Sequence, residues 1–431
     1  MSMIKRAAAF LAVLSIFAAV RAAVWIGRLR RRSSGISDPS PRGTRILVAG
    51  TFYNAGWFRS HVLPLSLSRQ VEAIWVVSDS ALEEVPKVRY AAPPEWLTWL
   101  VSRTLARLIW ILCTAWRERC DVLMGYHIMP NALLCLVAGA FLGRRAIYQM
   151  TGGPAQIVGG GAASENILLR QLGRESRFLE RRLLALVGAF DTVIVRGSRA
   201  RRFLEAQGLT ARIAVFTGSV DPLRFLPGRP PRYDVIFVGR LVPAKGCDLL
   251  QEVLANLVAR RPGVSIAVVG EGPLEKSMRG HLAAVGALQR VAFLGRRDDV
   301  PELLAESRVF LLTSPDEGMS IALLEAMAAG VAPVVPDVGD LRDAVRHGEN
   351  GFVVGTRRPQ DFVEPILILL EDEQLRSRLG TSARAWARDN VTPRALAERW
   401  EWLLEGLFPS LDRPLANSTS VDAASPGQEP R

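Results

Sequence analysis

One stretch of the sequence, residues 314–339, constrains the fold more than any other. It opens as a polar loop over 314–318, continues as a helix of small apolar residues over 319–329, and stops at Gly330 before an apolar strand over 332–335. A loop, a helix and a strand in this order are typical of a parallel α/β sheet. The loop then lies at the edge of the sheet where such folds bind ligands.

Two carboxylates in this stretch, Glu317 and Glu325, lie eight positions apart. Glu317 is expected in the loop at the start of the helix and Glu325 about two turns into it, because a turn takes roughly 3.6 residues. A helix N-terminus attracts anions through its free N–H groups and its dipole, so a phosphate can dock there. The carboxylate beside it can accept hydrogen bonds from sugar hydroxyls. The same spacing also fits a helix cap and a solvated helix face.

The rest of the chain predicts two α/β units. Apolar runs that read as buried strands begin at Arg45 and again at Tyr233, and each series alternates with helical stretches. A chain of 431 residues is long for one domain, and a proline-rich segment, 227–231, separates the two series. We therefore predict an α/β fold of two Rossmann-like doubly wound domains. The predicted boundaries are 45–225 and 232–390, followed by a helix over 393–407 and a disordered tail over 409–431.

Glycines and charged residues follow the predicted strands of the second unit. Gly239 and Arg240 end its first strand, and Lys245 follows five residues later. In one βα loop, an arginine fork and a lysine point charge can both contact a diphosphate. Gly270 and Glu271 end the next strand. Because ligands bind at the carboxyl ends of parallel strands, these segments and the acidic loop predict one common site.

Taken in order, these landmarks resemble retaining glycosyltransferases of the large family 4 (glycosyltransferase group 1), which have the two-domain GT-B fold. The resemblance implies that the two domains face each other across a cleft and that the last helix, 393–407, crosses back to the first domain. The resemblance rests on the paired glutamates in SPDEGMSIALLEAMAAG, on the Arg240 and Lys245 pair, and on the glycine-rich turn 270–274. It runs from about residue 45 to about residue 402 and is densest over 233–354.

The resemblance implies transfer of a sugar from a UDP- or GDP-linked nucleotide-sugar to an acceptor hydroxyl, with the anomeric configuration kept. It implies catalytic roles for Glu317, His127, Arg240 and Lys245. The donor-binding residues that it implies are Gly50, Gly239, Arg240, Lys245, Gly270, Glu271, Glu317, Gly318, Met319, Ser320 and Glu325. Cationic side chains replace a metal in this fold, so we expect no metal site and no cofactor besides the donor substrate.

Two candidates lie in the first unit. His127 follows a predicted strand over 121–124, at the sheet edge that binds ligands, although a lone histidine is more often a structural residue. Gly50 ends the first strand, and Gly50 and Gly56 are not the adjacent glycine pair that is usual in the family.

The N-terminal residues 1–32 form an apolar segment flanked by basic residues. The run reaches the roughly 20 residues of a membrane span only if Arg21 snorkels towards an interface. The heavier positive charge on its C-terminal side favours a cytoplasmic location for the domains that follow. A membrane anchor, a helix lying on the membrane surface and a signal peptide are the three alternatives. A signal peptide fits least, because export would separate the enzyme from its donor.

A single helix is predicted over 95–117, with one apolar face formed by Val101, Leu105, Leu108, Ile109, Leu112 and Trp116. Tryptophans and arginines share the opposite face: Trp96, Trp99, Arg103, Arg107, Trp110 and Arg117. An ordinary surface helix carries polar residues there, whereas tryptophan beside arginine suits a membrane interface. Packing of the tryptophans on another part of the protein is the alternative.

The net charge of +12 suits an anionic membrane, an anionic substrate or nucleic acid. No nucleic-acid-binding motif accompanies it, so we expect a membrane surface and a lipid-linked or glycan acceptor as partners. The four cysteines lack metal-ligand spacing and indicate a reducing compartment. Two alternatives from other classes stay open: a sugar-nucleotide epimerase on the same fold and a non-catalytic membrane scaffold.

Overall fold

The computed structural model describes residues 3–34, 43–52, 54–78, 81–161, 166–170, 175–225 and 230–408. Most of the linker before the first strand and the predicted tail over 409–431 lie outside the described residues. The described chain forms two parallel sheets with helices on their faces, which confirms the predicted fold class.

The first sheet has seven parallel strands in the order β3-β2-β1-β4-β5-β6-β7. The strands are β1 (Thr44–Ala49), β2 (Val71–Val77), β3 (Val88–Tyr90), β4 (Val122–Tyr126), β5 (Arg145–Gln149), β6 (Thr192–Val195) and β7 (Arg212–Val215). In β1, residues 46–49 are almost fully buried on both faces. A strand that helices cover on both sides reads as a continuous apolar run, which is why it was recognisable in the sequence.

The second sheet has six parallel strands in the order β10-β9-β8-β11-β12-β13. The strands are β8 (Tyr233–Val238), β9 (Ile266–Val269), β10 (Val291–Gly295), β11 (Ser307–Leu311), β12 (Ala332–Pro336) and β13 (Phe352–Val354). Both sheets reverse their strand order beside their first strand, which creates a crevice at the carboxyl ends of the strands.

Sixteen described helices connect and cover these strands. They are α1 (Met3–Ser34), α2 (Ala55–Leu67), α3 (Glu95–Leu100), α4 (Arg103–Arg117), α5 (Leu133–Leu142), α6 (Val158–Gly161), α7 (Ile167–Arg170), α8 (Arg177–Val187), α9 (Ser198–Ala206), α10 (Cys247–Arg260), α11 (Glu275–Ala284), α12 (Val300–Ala305), α13 (Ile321–Ala328), α14 (Pro359–Glu371), α15 (Glu373–Asn390) and α16 (Pro393–Leu407). Helix α16 packs on α2 of the first domain, where Trp400 is buried among residues of both.

Helix α1 packs along α5 of the first domain. Val13, Phe17, Val20 and Val24, spaced three or four residues apart, are buried in one cluster with residues of α5. Of the described helices, α1 contains the one stretch, Ala9–Gly27, that is long and apolar enough to cross a membrane. About a third of this stretch is buried against the protein.

The single helix predicted over 95–117 is wrong, because the chain forms α3 and α4 with a break between them. Val101 is extended, and the Ser102 hydroxyl accepts a hydrogen bond from the N–H of Leu105 at 3.3 Å. A serine at this position ends one helix and caps the next.

The predicted faces of this segment change with the break. Trp96 and Trp99 are exposed, as predicted, but Trp110 is half-buried beside the sheet and Trp116 is exposed. The smallest side chains, Ala106 and Ala115, lie fully buried, because they allow the helix to approach the sheet closely. The prediction ranked the faces by hydrophobicity and did not consider side-chain size.

Candidate functional site

The site lies where the carboxyl ends of the two sheets face each other. The turn at Gly318, after β11, contacts the first domain directly. A Cβ atom at Gly318 would lie 2.7 Å from the carbonyl oxygen of Thr151 and 3.1 Å from Cγ of Arg196. Thr151 follows β5 and Arg196 follows β6. Only glycine allows this approach, so Gly318 holds the two domains in contact at the site.

Lys245 and Glu317 form an ion pair within this site. The Nζ atom of Lys245 lies 2.5 Å from Oε1 of Glu317, and the Ser314 hydroxyl donates to the same oxygen at 2.8 Å. The side chain of Glu317 is 10% exposed and that of Lys245 is 23% exposed. The two residues are 72 positions apart in sequence, so the fold brings together two residues that were predicted separately.

Two further segments line the same edge of the second domain. Gly239 follows the last residue of β8, and the next residue, Arg240, is exposed. The turn that begins at Gly270 packs on this segment: the N–H of Leu241 donates to the carbonyl oxygen of Glu271 at 2.9 Å. The predicted residues of β8, β9 and β11 therefore lie at neighbouring strand ends.

Helix α13 begins at the centre of this edge. Ser320 is its N-cap, and the Ser320 hydroxyl accepts a hydrogen bond from the N–H of Leu323 at 3.4 Å. Met319 packs into the core of the second domain. The N-terminal N–H groups of α13 and the cations at 240 and 245 give this edge a positive potential that suits a diphosphate.

Glu325 lies in the second turn of α13, at the junction of the two domains. It lines a narrow cavity of about 20 Å³ with Arg59 and Ser60 of α2 and with Asp221 and Arg224 of the inter-domain segment. Burial raises the pKa of the Glu325 carboxyl to about 7, and the charge of Arg224 opposes this shift. The cavity has the size of one water molecule.

His127 lies on the opposite side of the site, at the end of β4. Its backbone has a φ of 58°, which is unusual for a residue other than glycine. Its Nδ1 atom lies 3.2 Å from the Thr151 hydroxyl and 3.4 Å from Nε2 of Gln156, and the Trp57 ring stacks parallel to it with centroids 6.2 Å apart. Since Thr151 also contacts Gly318, His127 is two contacts away from the Glu317 turn.

Gly50 lies deeper in the first domain than the other predicted residues. It is buried, and a Cβ atom there would lie 2.8 Å from the Phe52 ring and 3.2 Å from Cβ of Tyr126. The aromatic rings of this region therefore cover the glycine in the described arrangement.

Two residues of the site were missed by the sequence analysis. Arg196 is buried between the domains, and its Nη1 donates to the carbonyl oxygen of Phe216 at 3.0 Å. Burial lowers the pKa of its guanidinium to about 10. Asp340 is 2% exposed and lies on a turn that contacts the first domain. An arginine directly after the buried strand TVIV was the one signal in the sequence that could have identified Arg196.

Within the described residues, no group of three or more histidine, cysteine, aspartate or glutamate side chains has the arrangement of a metal site.

Residues 224–386 match a family model, described as Glycosyl transferases group 1. Three curated proteins are similar to parts of the chain. An exopolysaccharide phosphotransferase of Streptomyces coelicolor is 28% identical over 68% of this chain and 29% of its own length. A GDP-mannose-dependent alpha-(1-6)-phosphatidylinositol monomannoside mannosyltransferase of Mycobacterium tuberculosis is 28% identical, over 49% of this chain and 58% of its own length. A D-inositol 3-phosphate glycosyltransferase of Jonesia denitrificans is 33% identical, over 41% of this chain and 45% of its own length. The chain therefore spans about 29% to 58% of the length of these relatives.

Solved structures have the same fold at low sequence identity. Anabaena HepE in complex with UDP and glucose has a TM-score of 0.67 and 20% identity, over 84% of this chain and 100% of its own. Sucrose-phosphate synthase from Thermosynechococcus elongatus has a TM-score of 0.67 and 16% identity, over 85% of this chain and 99% of its own. At these identities the likeness concerns the GT-B fold alone.

Proposed function

Because residues 224–386 belong to the group 1 glycosyl transferase family, we propose that this chain is a retaining glycosyltransferase that moves a sugar from a nucleotide-sugar to an acceptor hydroxyl. The observation that carries the proposal is the Lys245–Glu317 ion pair beside the N-terminus of α13. It places a cation for a leaving phosphate next to a carboxylate for a developing positive charge.

The reaction breaks the bond between the anomeric carbon and the phosphate oxygen. Arg240, Lys245 and the N–H groups at the start of α13 stabilise the negative charge that collects on the leaving diphosphate. Glu317 orients the sugar hydroxyls and favours positive character on the ring. The acceptor hydroxyl then bonds to the anomeric carbon on the face that the phosphate leaves, and the leaving phosphate takes its proton.

The ion pair suggests how donor binding prepares the site. Lys245 is paired with the Glu317 carboxylate at 2.5 Å. A diphosphate carries more negative charge than one carboxylate and competes for the lysine. Binding of the donor therefore frees the Glu317 carboxylate for the sugar.

On this proposal His127 contacts the transferred sugar or the acceptor from the first domain. Support comes from its place at the end of β4 and from the Thr151 hydroxyl and Gln156 side chain that hold its ring. A side chain held by two polar neighbours and a stacked Trp57 ring loses little entropy when it binds a ligand.

The donor is proposed to be UDP- or GDP-linked. One relative is named as GDP-mannose-dependent, and HepE was solved with UDP. A thermal-shift screen of the full chain against UDP, GDP, ADP and their sugars tests this proposal, since a ligand raises the melting temperature of the state that it binds. We expect a shift with one nucleotide that disappears in Arg240→Ala and Lys245→Ala. No shift with any of them in a folded sample would contradict the proposal and favour a non-catalytic scaffold.

A shift without transfer would favour the epimerase instead. The donor that stabilises the chain can be incubated with the chain in the absence of an acceptor. Its sugar is then analysed for inversion at a ring carbon. An inverted sugar nucleotide would overturn the transferase proposal, and an unchanged one would support it.

We also propose that the first domain binds a cytoplasmic membrane surface and takes a lipid-linked or glycan acceptor there. Helices α1 and α4 both pack on α5, and exposed tryptophans occur on them and on α3: Trp25, Trp96, Trp99 and Trp116. Because Val13, Phe17 and Val20 face α5, the helix is better suited to lie along the membrane interface than to cross it.

Flotation of the full chain with vesicles tests the membrane proposal. We expect more protein to bind to vesicles with anionic lipid than to neutral vesicles. The double variant Trp96→Ala, Trp99→Ala should show at least a fivefold loss of bound protein. Trp402→Ala is the control, because Trp402 is about as exposed as Trp96 but lies on α16. Equal binding by both variants would contradict the proposed surface.

A further inference from the structure

The start of α9 in the first domain is capped by two carboxylates of the second domain. The Ser198 hydroxyl donates to Oδ1 of Asp343 at 2.6 Å, and the Ser198 N–H donates to Oδ2. Oδ1 of Asp340 accepts the N–H groups of Arg199 at 2.8 Å and of Ala200 at 3.1 Å. Three of the N–H groups that a helix N-terminus leaves without a helical partner are thus bonded across the domain boundary.

This contact, which we call the clasp (Ser198–Ala200 with Asp340 and Asp343), is tightly packed. A Cβ atom at Gly197 would lie 2.4 Å from Cβ of Asp340 and 2.5 Å from a carboxylate oxygen of Asp343. Asp340 is 2% exposed. The clasp is therefore a close-fitting contact of two surfaces and not a pair of surface side chains that meet in solvent.

The clasp connects directly to the Glu317 turn. The N–H of Asp340 donates to the carbonyl oxygen of Gly318 at 3.1 Å. Asp340 thus binds the first domain through its side chain and the residue after Glu317 through its backbone. Gly318 in turn contacts Thr151 and Arg196 of the first domain.

We propose that Asp340 is a positioning residue: it fixes the Glu317 turn against the first domain by capping α9, so that the carboxylate of Glu317 is aligned only when the domains are closed. The catalytic part of this inference rests on the proposed function, but the clasp itself does not. Opening the domains would release the α9 N–H groups and the Gly318 contact together.

The two oxygens of Asp340 are used unequally. Oδ1 accepts two N–H groups, whereas Oδ2 is buried and has no hydrogen-bond partner among the described residues. A proton on Oδ2 would leave both bonds to α9 in place and would remove a buried negative charge. The charged groups facing Asp340 are Arg196 and Arg199 from the first domain and Asp343 from its own turn.

Burial raises the pKa of Asp340 to about 6, with Asp343 contributing and the α9 N–H groups opposing the shift. If the open state has an ordinary carboxyl pKa of 3.8, the closed state binds the proton more tightly. Closure then strengthens as the pH falls through the range from about 6 to 4, by about a hundredfold at most.

Hydrogen–deuterium exchange of the full chain tests the clasp through the N–H groups of Arg199 and Ala200. After correction for intrinsic exchange, we expect these protons to be about fourfold better protected at pH 5.5 than at pH 7.5. Asp340→Asn keeps an oxygen acceptor without a charge, and should protect them equally at both pH values. Asp340→Ala should lower the protection of these two N–H groups at least tenfold at both pH values. Asp389→Asn, on an exposed ion pair with Arg388 in α15, is the control and should behave as the unaltered chain does.

Two results would overturn the inference: full protection of these protons in Asp340→Ala, or an Asp340→Asn variant with the pH dependence of the unaltered chain. Because this readout needs no substrate, failure of the proposed activity leaves it intact. With active enzyme, Asp340→Ala should lower kcat at least tenfold with a change of less than threefold in donor KM, and Asp340→Asn should restore kcat. A rise in KM alone would contradict the positioning role.

Discussion

Replacing Lys245 by alanine separates the diphosphate contact from the rest of the donor site. Lys245 and Glu317 are a mostly buried pair, 23% and 10% exposed. In the variant the Glu317 carboxylate keeps its hydrogen bond from the Ser314 hydroxyl at 2.8 Å. Hydrogen bonds to charged groups contribute about 1.5–3 kcal/mol. The loss should therefore weaken binding of a nucleoside diphosphate by about 10–150-fold.

Isothermal titration with UDP and GDP, each compared with UMP and GMP, measures this effect. The monophosphates keep the base and ribose but lack the second phosphate, so Lys245→Ala should change their affinity less than threefold. Lys276→Ala, an exposed lysine on α11, is the control and should bind both classes normally. Equal weakening of the monophosphate and diphosphate would refute the assignment of Lys245 to the leaving phosphate.

Three further predictions concern stability. Trp400→Ala should cost about 3–5 kcal/mol of unfolding free energy in urea titrations, because Trp400 lies on α16 and is buried against the first domain. The exposed Trp402→Ala should cost less than about 1 kcal/mol, because an exposed cation–π contact such as that of its ring with Arg212 contributes about 0.5–1 kcal/mol. Gly27→Leu places a Cβ atom 2.3 Å from a backbone oxygen of α5 and should lower the unfolding free energy by about 1–3 kcal/mol. In the same urea titrations, Gly280→Ala should be neutral or stabilising, because there is open space around Gly280. The folded state binds a proton on Glu325 more tightly than the unfolded chain, so stability should fall by about 3 kcal/mol at most as the pH rises from about 4.5 to 7. Glu325→Gln should remove this fall, and an unchanged pH dependence would contradict it.

The second domain was the more predictable half of the chain because its signals are local. Arg240, Gly270 and Glu317 each follow a strand that reads as an apolar run, and a parallel sheet brings strand ends to one edge. The contact between Lys245 and Glu317 was not itself predicted. It spans 72 residues and depends on how two loops pack, which no local pattern describes.

The inter-domain contacts were not predictable in the same way. Asp340 and Arg199 are separated by 141 residues, and neither stands in a pattern that indicates its partner. Each reads as an ordinary surface charge when the domains are considered separately. Their roles appear only once the relative placement of the domains is known.

Helices α1 and α4 show a different limit. The apolar residues of α1 predict burial. A lipid bilayer and an apolar protein surface both remove such side chains from water, so the sequence does not distinguish between them. The packing of Phe17 and Val20 on α5 could be found only from the structure. In α4, the sequence prediction did not include Ser102 as a helix cap, and the small side chain of Ala115 lies on the face that packs on the sheet.

The anomeric configuration of the transferred sugar tests the central claim most directly. The donor that the thermal-shift screen identifies, with its α-linked sugar, is incubated with the full chain, and the sugar released slowly to water is followed by proton NMR from the first minutes. Retention predicts that the α anomer appears first and then equilibrates with the β anomer, and that Glu317→Gln forms it at least tenfold more slowly. The β anomer appearing first, or release at the same rate in Glu317→Gln, would contradict the account.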